Sequence, residues 1–340
     1  MSLEDIARLA GVSKSTVSRV INNDVHVRDT TRRKVQAVID AQGYSPNVNA
    51  RALVTNRTQT IAVVISNNIS MFFDTSHYFP SVLRGISEAS IQRDYAMLLM
   101  LGKHNEDDVR FTRRIIRNQM LDGVILVSPA IGHPIIQEML DTNTTFVSAD
   151  RIDIDNDNVN YVTIENIDSS RTAVNHLIKL GRRRILMIAG DKEIVDTHDR
   201  VLGYKLALRD AGISFDPDLL VIDKYSTRSG YDAISRLLSA NIEFDAVFAS
   251  QENIAIGAMN ALFENGIRIP QDVSLVAFDD LVEGKDVRIG ISTMRQPVVE
   301  KGRQLCHTLI DLIEGKVSAP VRKSLATQLI IRASCGSKEN

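Results

Sequence analysis

The chain is poor in the residues that would assign it to several classes of protein. It has no Trp, two Cys, eight Pro and 5% aromatic residues in 340 positions. Cys306 and Cys335 are isolated and form no CxxC motif, which argues against a disulfide scaffold or a thiolate metal centre and favours a reducing compartment. The seven His residues include no HxxxH pair, so we expect no metal site.

Long apolar runs and cofactor loops are also missing. No stretch of eighteen apolar residues and no signal peptide is visible, which predicts a cytoplasmic protein without a membrane segment. The chain contains no GxGxxG, GxxxxGK[ST] or GxSxG motif. We therefore expect neither a cofactor nor an enzyme.

A net charge of −2 conceals an uneven distribution along the sequence. Residues 1–59 contain nine Lys and Arg against five Asp and Glu, a charge of +4, whereas the remaining 31 basic and 37 acidic residues give −6. A basic head on an acidic body is directed toward phosphates by its charge. The head is therefore the candidate for binding nucleic acid.

The basic head is predicted to contain three helices. Ser2 with Asp5 resembles a capping box, Gly11 permits a sharp turn, and Ser13 is a good N-cap for the second helix. The residues expected to face inward are Leu3, Ile6, Leu9, Ala10, Val17, Val20, Ile21, Val35, Val38 and Ile39. The second helix then presents small polar and basic residues on its opposite face, as a helix entering a DNA major groove does.

Two segments of the head resemble a known family. Residues 10–22, AGVSKSTVSRVIN, look like the helix-turn-helix of the lactose/galactose repressor family, and residues 43–53, GYSPNVNARAL, look like that family's exit into its hinge helix. Arg28 departs from this pattern, because the family more often has a small N-cap residue there. The start of the third helix is thus left open between Asp29 and Thr30 as caps.

The resemblance implies roles for individual residues of the head. Lys14, Ser15 and Arg19 would read base edges, and Leu53 would be a wedge in the minor groove, with Asn47 and Ala50 beside it in the hinge. The residues that would bind phosphate are Ser13, Thr16, Ser18 and Asn22. The implied partner is a near-palindromic double-stranded operator bound by a homodimer.

Beyond the head, apolar runs alternate with helical stretches. The runs are at 60–66, 96–101, 123–128, 145–149, 184–189, 246–249 and 273–278, and the helical stretches at 80–93, 106–119, 169–180, 199–211, 229–240 and 253–266. Such alternation predicts parallel sheets that are covered on both faces. The body thus resembles the type I periplasmic-binding-protein fold, which this family carries after its hinge.

The expected fold is α/β with an all-α head. We predict a helix-turn-helix domain at 1–46, a hinge helix and linker at 47–59, and an effector-binding and dimerisation domain at 60–340. Chain crossings near 161–165, 291–296 and 325–328 would divide this domain into two lobes. Lobe one would hold 60–162 and 292–324, and lobe two 163–290 and 325–340.

Ligands of open parallel sheets bind at the carboxyl ends of the strands, which directs attention to the residues that follow each run. The candidates are Phe72, Phe73, Asp150, Arg151, Arg200, Tyr225, Gln251, Asp279 and, by resemblance, Gln296. Carboxylates and guanidiniums can each bind two sugar hydroxyls, and aromatic rings cover the apolar face of a pyranose. The effector is accordingly expected to be a sugar, with a nucleobase or nucleoside as the alternative.

The sequence as a whole predicts a DNA-binding transcriptional repressor controlled by a small molecule bound between two lobes. A solute-binding protein of the periplasmic type is the rival interpretation. That rival would need a secretion signal and no basic head, and this chain has the reverse. An enzyme with an attached DNA-binding segment would need a nucleophile–base pair or a cofactor loop.

Overall fold

The computed structural model describes residues 1–21, 24, 26–44, 57–65, 77–102, 106–117, 120–154, 158–280 and 288–337, with the backbone alone for 106–109. Its contacts divide the chain into two units, Met1–Gln59 and Thr60–Asn340. Among the described residues, no helix combines the length and the apolar character needed to cross a bilayer.

The first unit is helical in its described part. Its helices are α1 Leu3–Ala10, α2 Lys14–Ile21 and α3 Asp29–Gln42. The capping box predicted at α1 is present, since the Ser2 hydroxyl accepts the Asp5 amide at 3.3 Å and the Asp5 carboxylate accepts the Ser2 amide at 3.0 Å. Arg28 is the N-cap of α3 and makes no side-chain cap. Gly11 ends α1 with φ 60°, a left-handed conformation that favours glycine.

One small core holds the three helices together. Its fully or almost fully buried side chains are Ile6, Ala7, Ala10, Val17, Val20 and Val35. Leu9 was expected in this core and is instead 52% exposed. Successive residues turn by about 100° around a helix, so the stripe that runs through Ile6 and Ala10 includes Ala7 and leaves Leu9 at its rim.

The second unit alternates strands with helices. Its strands are β1 Thr60–Ile65, β2 Ala96–Leu101, β3 Gly123–Val127, β4 Phe146–Ala149, β5 Tyr161–Ile164, β6 Ile185–Ala189, β7 Leu220–Ile222, β8 Ala246–Ala249, β9 Ser274–Asp279, β10 Ser292–Arg295, β11 Arg322–Leu325 and β12 Gln328–Ile330. Its helices are α4 Tyr78–Gln92, α5 Glu106–Arg117, α6 Pro134–Asp141, α7 Asn166–Lys179, α8 Val195–Asp210, α9 Thr227–Ser239, α10 Glu252–Glu264 and α11 Val298–Ile313.

The strands form two six-stranded sheets. The first has the order β11-β5-β4-β3-β1-β2 and the second β12-β10-β9-β8-β6-β7. Every pairing is parallel except β10 with β12. The predicted fold class, a helical head followed by two parallel-sheet lobes, is thereby confirmed.

Both faces of each sheet are buried under helices. In β1, for example, Ile61 and Val63 pack toward α4 and α11, whereas Ala62 and Val64 pack toward α5 and α6. This alternation follows from the two-residue repeat of a strand. It explains why β1 reads as a continuous apolar run, and it leaves the strand ends as the places where polar side chains can gather.

The chain passes three times between the lobes. It crosses after β5, after β10 and after β11, because β5 and β11 belong to the first sheet and β10 and β12 to the second. The predicted assignment of 292–324 to lobe one is wrong for β10, which lies in the second sheet. The residues of that strand, STMR, form no apolar run, so the pattern could not distinguish a short strand from a connector. Residues 163 to 164 and 325 likewise lie in strands of the first sheet.

Candidate functional sites

The first candidate site is the exposed face of α2. The Ser13 hydroxyl accepts the Thr16 amide at 3.2 Å, which satisfies one of the free donors at the start of the helix. Val17 and Val20 anchor the opposite face in the small core. The helix is therefore fixed from behind while its other face is left to solvent.

The residues predicted to read bases all lie on that exposed face. Lys14, Ser15 and Arg19 are exposed, and Arg19 lies 3.9 Å from the Asp24 carboxylate. Lys14 Nζ pairs with Glu4 at 2.6 Å, with both side chains more than 60% exposed. Exposed ion pairs of this kind contribute at most about 1 kcal/mol, so both cations can exchange their partners for a nucleic acid at little cost.

The predicted phosphate-binding residues lie beside them. Ser13 is exposed and Thr16 and Ser18 are half-buried, with the Ser13 and Thr16 hydroxyls 2.8 Å apart. Six further predicted residues lie outside the described parts of the chain. They are Asn22, Asn47, Ala50 and Leu53 of the head and hinge and Phe72 and Phe73 of the body.

The second candidate site is a cleft at the carboxyl ends of the strands in the second unit. Six of the predicted ligand residues line it, namely Asp150, Arg200, Tyr225, Gln251, Asp279 and Gln296. The cleft is partly open to solvent. Asp150 comes from the first lobe and Arg200 and Asp279 from the second, so a bound molecule would contact both lobes.

Arg151 does not line the cleft, although it was predicted together with Asp150. Its guanidinium pairs with Asp199 at 2.8 Å and is 44% exposed. Both residues lie beyond the end of β4, and Asp150 has a φ of 106°, so the chain turns between them and directs Arg151 toward Asp199 of α8. This prediction is therefore corrected.

Arg200 lies buried against the second sheet. Its Nε donates to Asn166 Oδ1 at 2.8 Å, its Nη1 donates to the Ser250 carbonyl at 2.6 Å, and its guanidinium lies 4.0 Å from the centre of the Phe278 ring. Burial disfavours its charge, but Tyr225 and nearby carboxylates keep the pKa of Arg200 above its ordinary value. The guanidinium is thus a fixed cation in the second wall of the cleft, the wall that the second lobe forms.

Asp279 is the last residue of β9 and is 3% exposed. Burial raises the pKa of its carboxyl, while Arg200 and a hydrogen bond from the Gln296 side-chain amide act in the opposite direction. Its φ of 109° turns the chain away from the strand. The side chain is therefore held against the cleft by its neighbours on both sides.

Tyr225 supplies an aromatic surface. Its hydroxyl shares a hydrogen bond of 2.7 Å with Thr197, and burial raises its pKa to about 12, so the phenol stays protonated. A Cβ atom at Gly190 would lie 2.1 Å from the Tyr225 ring. Gly190 therefore gives the ring its place at this edge of the sheet.

Several residues of the cleft were not predicted from the sequence. Those that also line it are Tyr78, Phe79, Ser128, Asp191, Ile194 and Asp196. Behind them lies Lys301 of α11, which is fully buried and donates to the Asp150 carboxylate and, at 3.1 Å, to the Tyr78 hydroxyl. Lysine is almost never fully buried unless paired, so a Lys within the apolar pattern of α11 was the available signal.

The pKa of Asp150 is subject to opposing effects of its surroundings. Burial and the Asp196 carboxylate raise its pKa to about 7, although the Lys301 ammonium favours the ionised form. Lys301 itself has a raised pKa despite its burial, because Asp150 stabilises its charge. The pair is best described as a buried ion pair in the wall of the first lobe.

The regions that contain these two sites each match a described family of proteins. Residues 2–47 match the profile described as "Bacterial regulatory proteins, lacI family", and residues 174–335 match that of the "Periplasmic binding protein-like domain". The transcriptional regulator CelR of Thermobifida fusca is 34% identical over 98% of both chains. The transcriptional regulator RegA of Clostridium saccharobutylicum is 35% identical, also over 98% of both chains.

Solved structures agree with these sequence matches. A structure described as a transcriptional regulator CelR–cellobiose complex has a TM-score of 0.78 and 32% identity, and covers 98% of this chain and 99% of its own. The lac repressor dimer bound to operator and the anti-inducer ONPF has a TM-score of 0.81 over 98% of this chain and 99% of its own. At 24% identity, this second likeness shows the fold alone.

We predict that Lys301→Met destabilises the protein by about 3–5 kcal/mol, because it leaves the Asp150 carboxylate buried without its partner. The raised pKa of Asp150 means that the folded variant retains a proton that the unfolded chain has lost. Its unfolding free energy should therefore fall as the pH rises from about 5 to about 8. Urea unfolding at both pH values measures this effect.

The matched control is Lys316→Met, which removes an exposed partner of Glu314 and should cost less than about 1 kcal/mol. The double variant Lys301→Met with Asp150→Asn should recover part of the lost stability. A Lys301→Met protein as stable as the control at pH 8 would refute the buried pair.

Proposed function

The chain belongs to the lacI family of bacterial regulatory proteins, and on that basis we propose that it represses transcription at a near-palindromic operator whose affinity is set by a sugar in the cleft. The observation that carries the proposal is the convergence of Asp150, Arg200, Tyr225 and Asp279 on one cleft in a chain that also has an exposed basic helix. Members of this family are regulators and not enzymes. Because a bacterial operator lies in the cytoplasm, we propose that the protein acts there.

Reading of DNA is assigned to the exposed face of α2. Lys14 and Arg19 offer cations whose present partners are weakly held, and Ser15 adds a hydroxyl that can donate or accept. An Arg side chain that reaches a guanine edge makes two parallel hydrogen bonds. This chemistry supports base reading by Arg19 and Lys14 and phosphate contacts by Ser13, Thr16 and Ser18. The hinge residues Asn47, Ala50 and Leu53 keep the minor-groove role that the resemblance implies.

A homodimer is supported by the edge strand of the first sheet. In β2 none of the six residues is buried, and Leu98 and Leu99 are 40% and 36% exposed, whereas five of the six residues of β1 are buried. An apolar strand at the edge of a sheet is a site of association. A second copy of the chain on this strand would pair two reading heads, and paired heads bind a two-part operator far more tightly than one.

Sugar binding is supported by the chemistry of the cleft. Asp279 and Arg200 offer a carboxylate and a guanidinium within one wall, and Tyr225 offers a ring that can cover the apolar face of a pyranose. The CelR structure that resembles this chain is described as a cellobiose complex, which makes cellobiose the first sugar to test. Because the cleft has walls from both lobes, a sugar that prefers the closed arrangement shifts the lobes toward it.

We predict that Arg19→Ala weakens binding to the selected operator by about 1–3 kcal/mol while binding to unrelated DNA changes little. The operator would be obtained by selection from random duplexes, and affinity measured by fluorescence anisotropy. Arg8→Ala removes an exposed guanidinium outside α2 and is the charge-matched control. Equal losses of operator affinity in the two variants would contradict base reading by Arg19.

We predict that Leu98→Glu weakens the dimer at least about tenfold, because each protomer would bury a carboxylate in an apolar contact. Sedimentation velocity over a range of concentrations measures the dimer, and circular dichroism verifies the fold. Leu202→Glu, at a hydrophobic residue 44% exposed in the second lobe, is the control. An unchanged dimer in Leu98→Glu would remove β2 from the interface.

We predict that Arg200→Lys and Asp279→Asn each lower the affinity for the sugar about 10- to 100-fold, because each variant loses a hydrogen bond between the sugar and a charged group. Isothermal titration with cellobiose, followed by other sugars and by nucleosides, provides the measurement. Arg151→Ala is the control, since this neighbour of Asp150 does not line the cleft. Binding of nucleosides with no response to any sugar would overturn the sugar assignment.

A further inference from the structure

The charges around the cleft are unequal. Three buried carboxylates border it, those of Asp150, Asp196 and Asp279, with exposures of 5%, 7% and 3%. Among the described residues, two buried cations face them, Arg200 in the wall and Lys301 behind it. A fourth lining carboxylate, that of Asp191, is paired with Lys224 at 2.5 Å.

Both buried cations are already engaged by the protein. Two nitrogens of Arg200 donate to Asn166 and to the Ser250 carbonyl, and its third lies 3.7 Å from Asp196. Lys301 donates to Asp150 and Tyr78. Among the described residues, an anionic group on a ligand would therefore meet three buried carboxylates and one cation in the wall of the cleft, Arg200, whose charge is already shared with Asp196.

Three buried polar atoms of the residues that line the cleft lack a hydrogen-bond partner among the described residues, and all three are acceptors. They are Asp196 Oδ1, Gln251 Oε1 and Gln296 Oε1. The orientation of the Gln296 amide is fixed, because its nitrogen donates to Asp279. Buried acceptors without partners are costly, so the favoured ligand is one that brings donors to them.

We propose that the cleft selects an uncharged, polyhydroxylated ligand and rejects the corresponding sugar acids and sugar phosphates. This inference rests on the proposed function, since it names the class of sugar that the same cleft would take. The hydroxyl groups of such a ligand donate hydrogen bonds to the acceptor atoms of Asp196, Gln251 and Gln296. A carboxylate or phosphate on the same sugar adds a charge that must be desolvated beside charges of its own sign.

The test is a titration of the full-length protein with matched sugars. The sets are cellobiose with cellobionate, glucose with glucuronate and glucose 6-phosphate, and galactose with galacturonate. Work at pH 8 keeps Asp150 ionised, because burial raises its pKa only to about 7. We expect at least one uncharged sugar to bind and its anionic partner to bind about 100-fold more weakly or not at all.

The failure of this inference differs from the failure of the proposed function. An acid or phosphate that binds as tightly as its uncharged partner would overturn the selectivity and leave the sugar site intact. Absence of binding by every compound in the panel would overturn the sugar assignment and the selectivity with it.

A charge variant tests the cause of the selectivity. Asp196→Asn removes one carboxylate, so the preference for the uncharged sugar over its acid should fall at least about tenfold. The control is Asp232→Asn, which removes an exposed carboxylate on α9 that pairs with Arg228. An unchanged preference in Asp196→Asn, equal to that of the control, would show that the excess of carboxylates is not its origin.

Discussion

The cleft depends on one buried cation. Arg200 connects the start of α7, through Asn166, with the loop after β8, through the Ser250 carbonyl, and it covers the Phe278 ring at the end of β9. A guanidinium in this position has to be stabilised by negative charge, and Asp196 and Asp279 stabilise it. The same carboxylates then define what else can enter. The carboxylates that stabilise Arg200 thereby also determine which charge a ligand can carry.

The two walls of the cleft are built differently. In the wall from the first lobe, Asp150 is paired with the buried Lys301. In the wall from the second lobe, Asp279 accepts a hydrogen bond from the Gln296 amide and is stabilised by the charge of Arg200. Since each wall belongs to a different lobe, a ligand with hydroxyls for both bridges the lobes. Its effect on DNA binding can be no larger than its preference for one arrangement of the lobes over the other.

Much of this arrangement could be predicted from the sequence, because parallel sheets put the residues that follow their strands at one edge. This rule, together with the resemblance of the family, led to Asp150, Arg200, Tyr225, Gln251, Asp279 and Gln296. Arg151 lies outside the cleft because its guanidinium pairs with Asp199 of α8, a contact that the sequence did not reveal. Asp196 was missed because the predicted helix began at residue 199, whereas α8 begins at Val195. Lys301 was missed because the face of α11 that meets the cleft depends on packing between elements distant in the sequence. The short strand β10 was placed in the wrong lobe because its residues form no apolar run.

The central claim is that the reading head and the cleft are coupled, and linkage gives it a direct test. If a sugar changes operator affinity by some factor, the operator must change sugar affinity by the same factor. The measurement is the dissociation constant of a sugar that binds the cleft, taken with the free protein and again with the protein saturated by its selected operator. The account predicts a change equal to the factor by which that sugar alters operator affinity. Identical sugar affinities with and without operator would contradict it.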